Sequence, residues 1–184
     1  MSDGQTEAAT ATEAGDGDSY GGVVGAFPYA FRTSGSRLFR SYAAVGGLLA
    51  AVVVALFVLA LVTMVGRTAS ATGGTFTFSR AFLLVVMVLV VVPLIAPVLL
   101  VARRHRRTAS TVAYDRALAA AGYLFVVALY VGLVISAPPS LTDGPGSGPV
   151  GALVAWLYSL PQVAGAVPPL SAAAYVYLAH RRFR

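Results

Sequence analysis

Two histidines, two acids beyond the N-terminal region and a few amides and hydroxyls are the groups from which this 184-residue chain could build chemistry. His105 lies in Arg103-Arg104-His105-Arg106-Arg107, and His180 opens His180-Arg181-Arg182. Flanking guanidinium groups disfavour protonation and cation binding at both imidazoles, and no acid or second histidine nearby completes a metal set. Asp115 and Asp143, the only acids after Asp18, are predicted on opposite faces of the protein and so cannot pair as acid and base. The chain has no GxxxxGK[ST], HExxH or GxSxG motif. The glycines of Gly21 to Gly25 and of Gly144 to Gly148 lack the strand-then-helix setting of a phosphate loop. Cysteine is absent, which removes disulfides, thiolate ligands and palmitoylation. The expectation is a protein with no catalytic residues, no cofactor and no metal.

The elements that would position these groups are apolar. Hydrophobic residues make up 58% of the chain and charged residues 11%, with a mean hydropathy of +0.79, whereas a soluble domain carries about 25% charged residues. A core of this size could not hide such blocks from water, so the solvent must be lipid. The net charge of +6 divides along the chain. Five acids (Asp3, Glu7, Glu13, Asp16, Asp18) precede a remainder in which 13 arginines face two acids, or +11, and lysine is absent. Those arginines flank apolar blocks, which points to membrane orientation and not to nucleic acid.

The sequence predicts an all-α polytopic membrane protein, a bundle of four transmembrane helices with the second and fourth kinked by proline. Residues 1–26 read as a disordered acidic tail, without helical or strand period. Residues 27–41 are basic. At 100° per residue Phe27, Phe31, Leu38 and Tyr42 share one side and Arg32, Arg37 and Arg40 the other, as in an interfacial amphipathic helix opened by Pro28. A flexible basic linker centred on Ser34-Gly35-Ser36 is the competing reading. Spans follow at about 42–65, 81–102, 117–137 and 150–179, within the transmembrane domain 42–180, and 181–184 form a basic cytoplasmic tail. The first span is too long for a signal core and reads as an uncleaved anchor. The last is too long for a straight helix. It is either one kinked span, preferred because Trp156/Tyr158 and Tyr175/Tyr177 would then lie about 25 Å apart at two aromatic belts, or a span ending at Pro168-Pro169 followed by an interfacial helix.

With four crossings, Arg32, Arg37, Arg40, Arg103, Arg104, Arg106, Arg107, Arg116, Arg181, Arg182 and Arg184 share a side, against Arg67 and Arg80. The positive-inside rule places both termini in the cytoplasm of a cell held by its cytoplasmic membrane. Arg103, Arg104, Arg106, Arg107, Arg181 and Arg182 then set topology and meet anionic lipid headgroups.

Within the spans no residue is charged. Thr63, Ser136, Ser159, Gln162 and Ser171 are the polar ones, and hydroxyls of this kind usually bond back to their own helix. Gln162 with Ser159 could line a polar pocket. Pro93 and Pro97 remove the donors that would reach the carbonyls of Leu89 and Pro93, which makes a fixed kink or a hinge. Pro161, Pro168 and Pro169 do the same in the fourth span. Small residues recur every fourth position at Ala43, Gly47, Ala51 and Ala55 and at Ala128, Gly132 and Ser136, the spacing that lets membrane helices approach closely.

The leader Ser2 to Asp18, the exclusive use of arginine and stretches such as Ala50-Ala51-Val52-Val53-Val54-Ala55 together resemble the small uncharacterised multi-pass membrane proteins of haloarchaea. The resemblance implies an archaeal cytoplasmic membrane and carries over no functional residue. The expected function is that of a non-catalytic bundle packing with itself or with a partner membrane protein, in a bilayer with anionic headgroups. The alternative is a component of a transporter or channel for a neutral solute, with a path hinged at the prolines. Topology is directly testable because the chain has no cysteine: a cysteine introduced at Ser140 is expected to react with an impermeant maleimide only from the outside, and labelling from the cytoplasmic side would invert the orientation.

Overall fold

The computed structural model describes residues 22–68, 74–108, 110–142, 144 and 146–183. Among them the elements are all helical: α1 (Gly22–Thr33), α2 (Arg37–Arg67), α3 (Gly74–Arg107), α4 (Val112–Ile135), α5 (Gly148–Tyr158) and α6 (Val167–Phe183), with short 3-10 turns at Pro139–Leu141 and Gln162–Ala166. Three helices are long and apolar enough to cross a membrane, and a fourth crossing exists if the bent pair formed by α5 and Gln162–Phe183 counts as one.

α4 is the axis. It buries Tyr114, Leu118, Ala121, Gly122, Phe125, Ala128, Gly132 and Ile135, a three-and-four spacing that keeps one broad stripe inward along its whole length. Where α4 lacks a side chain, neighbours come close. A Cβ at Gly122 would lie 2.2 Å from the Tyr42 ring, and a Cβ at Gly132 would lie 2.4 Å from the Gly165 carbonyl oxygen. Tyr42 therefore packs closely on α4 at Gly122, donates its hydroxyl to the Leu94 carbonyl of α3 at 2.6 Å, and meets the Tyr123 ring edge-on at 5.2 Å. One side chain ties α2, α3 and α4.

The small-residue stripes are used unequally. On α2 the inward face is Tyr42, Gly46 and Ala50, together with Ala43. Gly47 takes the Phe27 ring of α1, while Ala51 and Ala55 are exposed. On α4, Ala128 and Gly132 are buried and Ser136 donates to the Gln162 carbonyl at 3.2 Å, so this stripe serves the contact with the 162–166 turn and α6.

Two expectations change. First, residues 22–26 do not belong to the tail: α1 begins at Gly22, and its Ala26 and Ala30 are fully buried in a cluster with Phe39, Val98, Val101 and Ala102. The tail reading of residues 1–21 lies outside the described residues. Ser34-Gly35-Ser36 is an ordered connection in which Ser36 caps α2 by accepting from the Phe39 N–H. The basic segment is thus two helices with a capped turn between them. Secondly, the chain from 150 to 179 is not one kinked helix. α5 ends at Tyr158, and the following helical segment leaves at 109°. Pro161 lacks the N–H that α5 would need to continue and instead starts the 3-10 turn, with the Ala164 N–H donating to its carbonyl at 2.8 Å. Pro168 and Pro169 occupy the first turn of α6, where N–H groups have no helical partner, so they begin a helix and do not bend one.

Pro93 and Pro97 lie inside α3, which is helical from Gly74 to Arg107. The Tyr42 hydroxyl lands on the Leu94 carbonyl, one residue beyond the Pro93 carbonyl that Pro97 leaves without its helical donor. At the far end of this hairpin Arg80 donates to the carbonyl and hydroxyl of Thr68 at 2.9 and 2.6 Å, closing the end of α2 with a cation where the helix dipole favours one.

The segment 162–183 accompanies α4 from end to end: Gln162 sits at Ser136, Gly165 at Gly132, and His180 at Tyr114. Gly122→Ala is expected to force Tyr42 off α4 and cost about 1–3 kcal/mol, and Tyr42→Phe about 0.5–1.5 kcal/mol. Circular dichroism through a denaturing-detergent titration measures both, and parental stability in Gly122→Ala would contradict the close contact.

Candidate functional site

The arginine-rich end of the bundle, where α2 and α4 begin and α3 and α6 finish, holds a polar cluster centred on a buried carboxylate. α4 starts at Val112 because Thr111 is extended and its hydroxyl accepts from the Tyr114 N–H at 3.3 Å. Asp115 follows in the first turn, where a negative charge is favoured by the helix dipole. Its side chain is 1% exposed.

Burying a carboxylate is tolerable only when its oxygens are paired. Asp115 Oδ2 accepts from Ser34 Oγ at 2.6 Å and faces His105 Nε2 at 3.1 Å, and Oδ1 accepts from Ser110 Oγ at 2.9 Å. Ser34 is itself held: its Oγ accepts from the Ser36 N–H, and its carbonyl accepts from Arg40 Nε at 3.0 Å. The α1–α2 turn, the end of α3, the α3–α4 turn and the start of α4 are therefore joined at one residue. A second limb fixes α6. The Tyr114 hydroxyl and His180 Nδ1 are 2.7 Å apart, Arg104 lies 4.2 Å over the Tyr114 ring, and Arg104 Nη1 donates to the Phe183 carbonyl at 2.8 Å.

Serine, histidine and aspartate are the residue types of a hydrolytic triad, but their order is different here. A triad needs the histidine between the other two, to take the serine proton. In this cluster the carboxylate stands between, and Ser34 and His105 both reach the same Asp115 oxygen. The geometry orients four chain segments around one anion and does not activate Ser34.

His105 was expected to lack an acidic neighbour, and this is corrected: Asp115, ten residues on, reaches it across the α3–α4 turn. Asp115 lies in the first turn of α4, two residues before the span expected at 117–137, and is buried there. The signal in the sequence was Thr111 followed at the fourth position by an acid, a helix start, but nothing marked Ser34 as its partner. Of the arginines, Arg104 turns inward, whereas Arg103, Arg106, Arg107, Arg181 and Arg182 are exposed.

Gln162 and Ser159 have separate hydrogen-bond partners. Gln162 Nε2 donates to the Ala137 carbonyl at 3.4 Å, while Ser159 Oγ donates to Trp156 of its own helix at 2.6 Å. Thr63 and Ser171 likewise bond back to their own helices. Among the described residues no three His, Asp or Glu side chains gather as a metal set.

Asp115→Asn keeps the volume but turns one accepting oxygen into an NH2 group facing other donors, so it is expected to cost about 1–3 kcal/mol. Release of α1 should accompany it, seen as faster tryptic cleavage after Arg32 and Arg37. Unchanged protection at those two bonds would show that the carboxylate does not hold the turn.

No curated protein and no solved structure matches the chain. One protein family matches it over residues 1–184, and the chain belongs to that family, the domain of unknown function DUF8056.

Proposed function

We propose that the chain is a multi-pass protein of the cytoplasmic membrane, with both termini in the cytoplasm, that acts without catalysis by packing with a second copy or with a partner membrane protein. The observation that carries this reading is the unequal use of its apolar helices. In the most apolar stretch of α4, 39% is buried, against 6% in α2. α2 beyond Ala50 exposes Ala51 and Ala55 among larger apolar residues such as Val52, Leu56 and Leu59. Lipid gives helices no hydrophobic reason to pair, so small residues on an open face favour association through close backbone contact.

Four crossings follow in this reading from α2, α3, α4 and the segment 162–183, which matches α4 in extent. α5 lies to one side as a short interfacial helix carrying the exposed Trp156. The termini then share a side with the exposed arginines, in keeping with the positive-inside rule. The transport alternative joined Pro93 and Pro97 to the Gln162 region. Each has its own neighbours: Pro97 is buried close to the Tyr42–Leu94 contact, and Gln162 bonds the chain just after α4.

Single cysteines at Ala51, Ala55 and Val127, the last on the outer face of α4, separate the readings. Oxidation in native membranes is expected to give disulfide-linked dimers at Ala51 or Ala55 and none at Val127. Equal cross-linking at all three positions, or none at Ala51 and Ala55, would count against self-packing through α2.

A further inference from the structure

The arginines at the cytoplasmic end divide into two groups with different surroundings. Arg104 is committed to the protein, over the Tyr114 ring and on the Phe183 carbonyl. Arg181 and Arg182 are exposed, on the last turns of α6, with Arg181 5.9 Å from the centre of the exposed Tyr177 ring. Beside them lies an open groove of about 510 Å³ lined by Tyr175, Leu178, Ala179, Arg181, Arg182 and Phe183.

The order of these residues along the helix is that of a lipid. Tyr175, Leu178 and Arg182 follow at three and then four residues, so they stack on one face. The face passes from apolar to cationic within seven residues, about 10 Å of helix. An acyl chain fits against Tyr175 and Leu178, and a headgroup phosphate reaches the two guanidiniums, which bind phosphate through paired N–H groups. The C-terminal carbonyls of a helix ordinarily repel an anion. Here the bond from Arg104 to the Phe183 carbonyl covers one of them and adds a third positive charge nearby.

We propose that this groove binds one anionic phospholipid of the cytoplasmic leaflet, held at its headgroup by Arg181 and Arg182 and along its chain by Tyr175 and Leu178. The proposal rests on the membrane reading above, but its test reads no topology and no self-association. Both can therefore fail independently, by labelling at Ser140 or by cross-linking at Ala51 and Ala55.

The test is native mass spectrometry of the delipidated full chain in detergent micelles, titrated with phosphatidylglycerol or with phosphatidylcholine of the same acyl chains. The parent is expected to retain one phosphatidylglycerol in preference to phosphatidylcholine. In Arg181→Ala/Arg182→Ala that retention should weaken about 30-fold, from roughly 1 kcal/mol per arginine near the headgroups. Arg103→Ala/Arg107→Ala removes two exposed charges at the same end but outside the groove, and should retain the lipid as the parent does. Equal retention of the two lipids, no retention by the parent, or equal losses in the two double variants would overturn the proposal.

Discussion

At Gly122 and Gly132 the central helix has no side chain, and two neighbours occupy the space: the Tyr42 ring at the first, the backbone of Gly165 at the second. These contacts fix the distance of α2 and of the 162–166 turn from α4, and the other helices arrange themselves around that spacing. Helices in lipid gain nothing by hiding apolar surface from one another, so van der Waals contact and satisfied polar atoms have to hold them. Both appear together at Tyr42, whose ring fills the glycine site while its hydroxyl bonds the α3 backbone.

The middle and the arginine-rich end of the bundle are held by different forces. In the middle, the apolar side chains of Ala50, Leu94, Phe125, Ala128 and Ala172 interlock, beside the bond from Tyr42 to the Leu94 carbonyl. At the end, the contacts are a buried carboxylate with three donors and a tyrosine–histidine pair stacked under Arg104. Removing a methyl from the first region leaves a small void. Taking one donor from the second leaves a charge partly unpaired in a dry site, which costs more.

Much of the architecture was legible in the sequence because lipid imposes long, charge-free apolar runs, and these fall in α2, α3 and α4. Self-bonded hydroxyls at Thr63 and Ser171 were legible for the same reason, since a lone hydroxyl in a helix has a carbonyl within reach. What escaped notice depended on distance in space. His105 and Asp115 are ten residues apart, and the arginines around the histidine disguised the pairing. Ser34 looked like part of a flexible connection, because the carboxylate that its hydroxyl meets lies 81 residues further along the chain. The fourth apolar block misled through its prolines: Pro168 and Pro169 are the conspicuous pair, yet as first-turn residues they suit the helix they begin, and the single Pro161 accompanies the change of direction.

The hydrogen bond from Ser34 to Asp115 joins residues 81 apart, and the contacts of Tyr114 with His180 and of Arg104 with Phe183 span 66 and 79 residues. At a synthesis rate of about 5–20 residues per second, Ser34 exists for roughly 4–16 s before Asp115 is made. During that interval α2 and α3 can enter the bilayer as an apolar hairpin, while the α1–α2 turn has no carboxylate to dock on. α1 can rest on α2 and α3 once these are in place, but the turn that follows it gains its bond to Asp115 only after α4 is made, and α6 completes the same end last. A turn made early in synthesis is thus among the last parts of this end to be fixed.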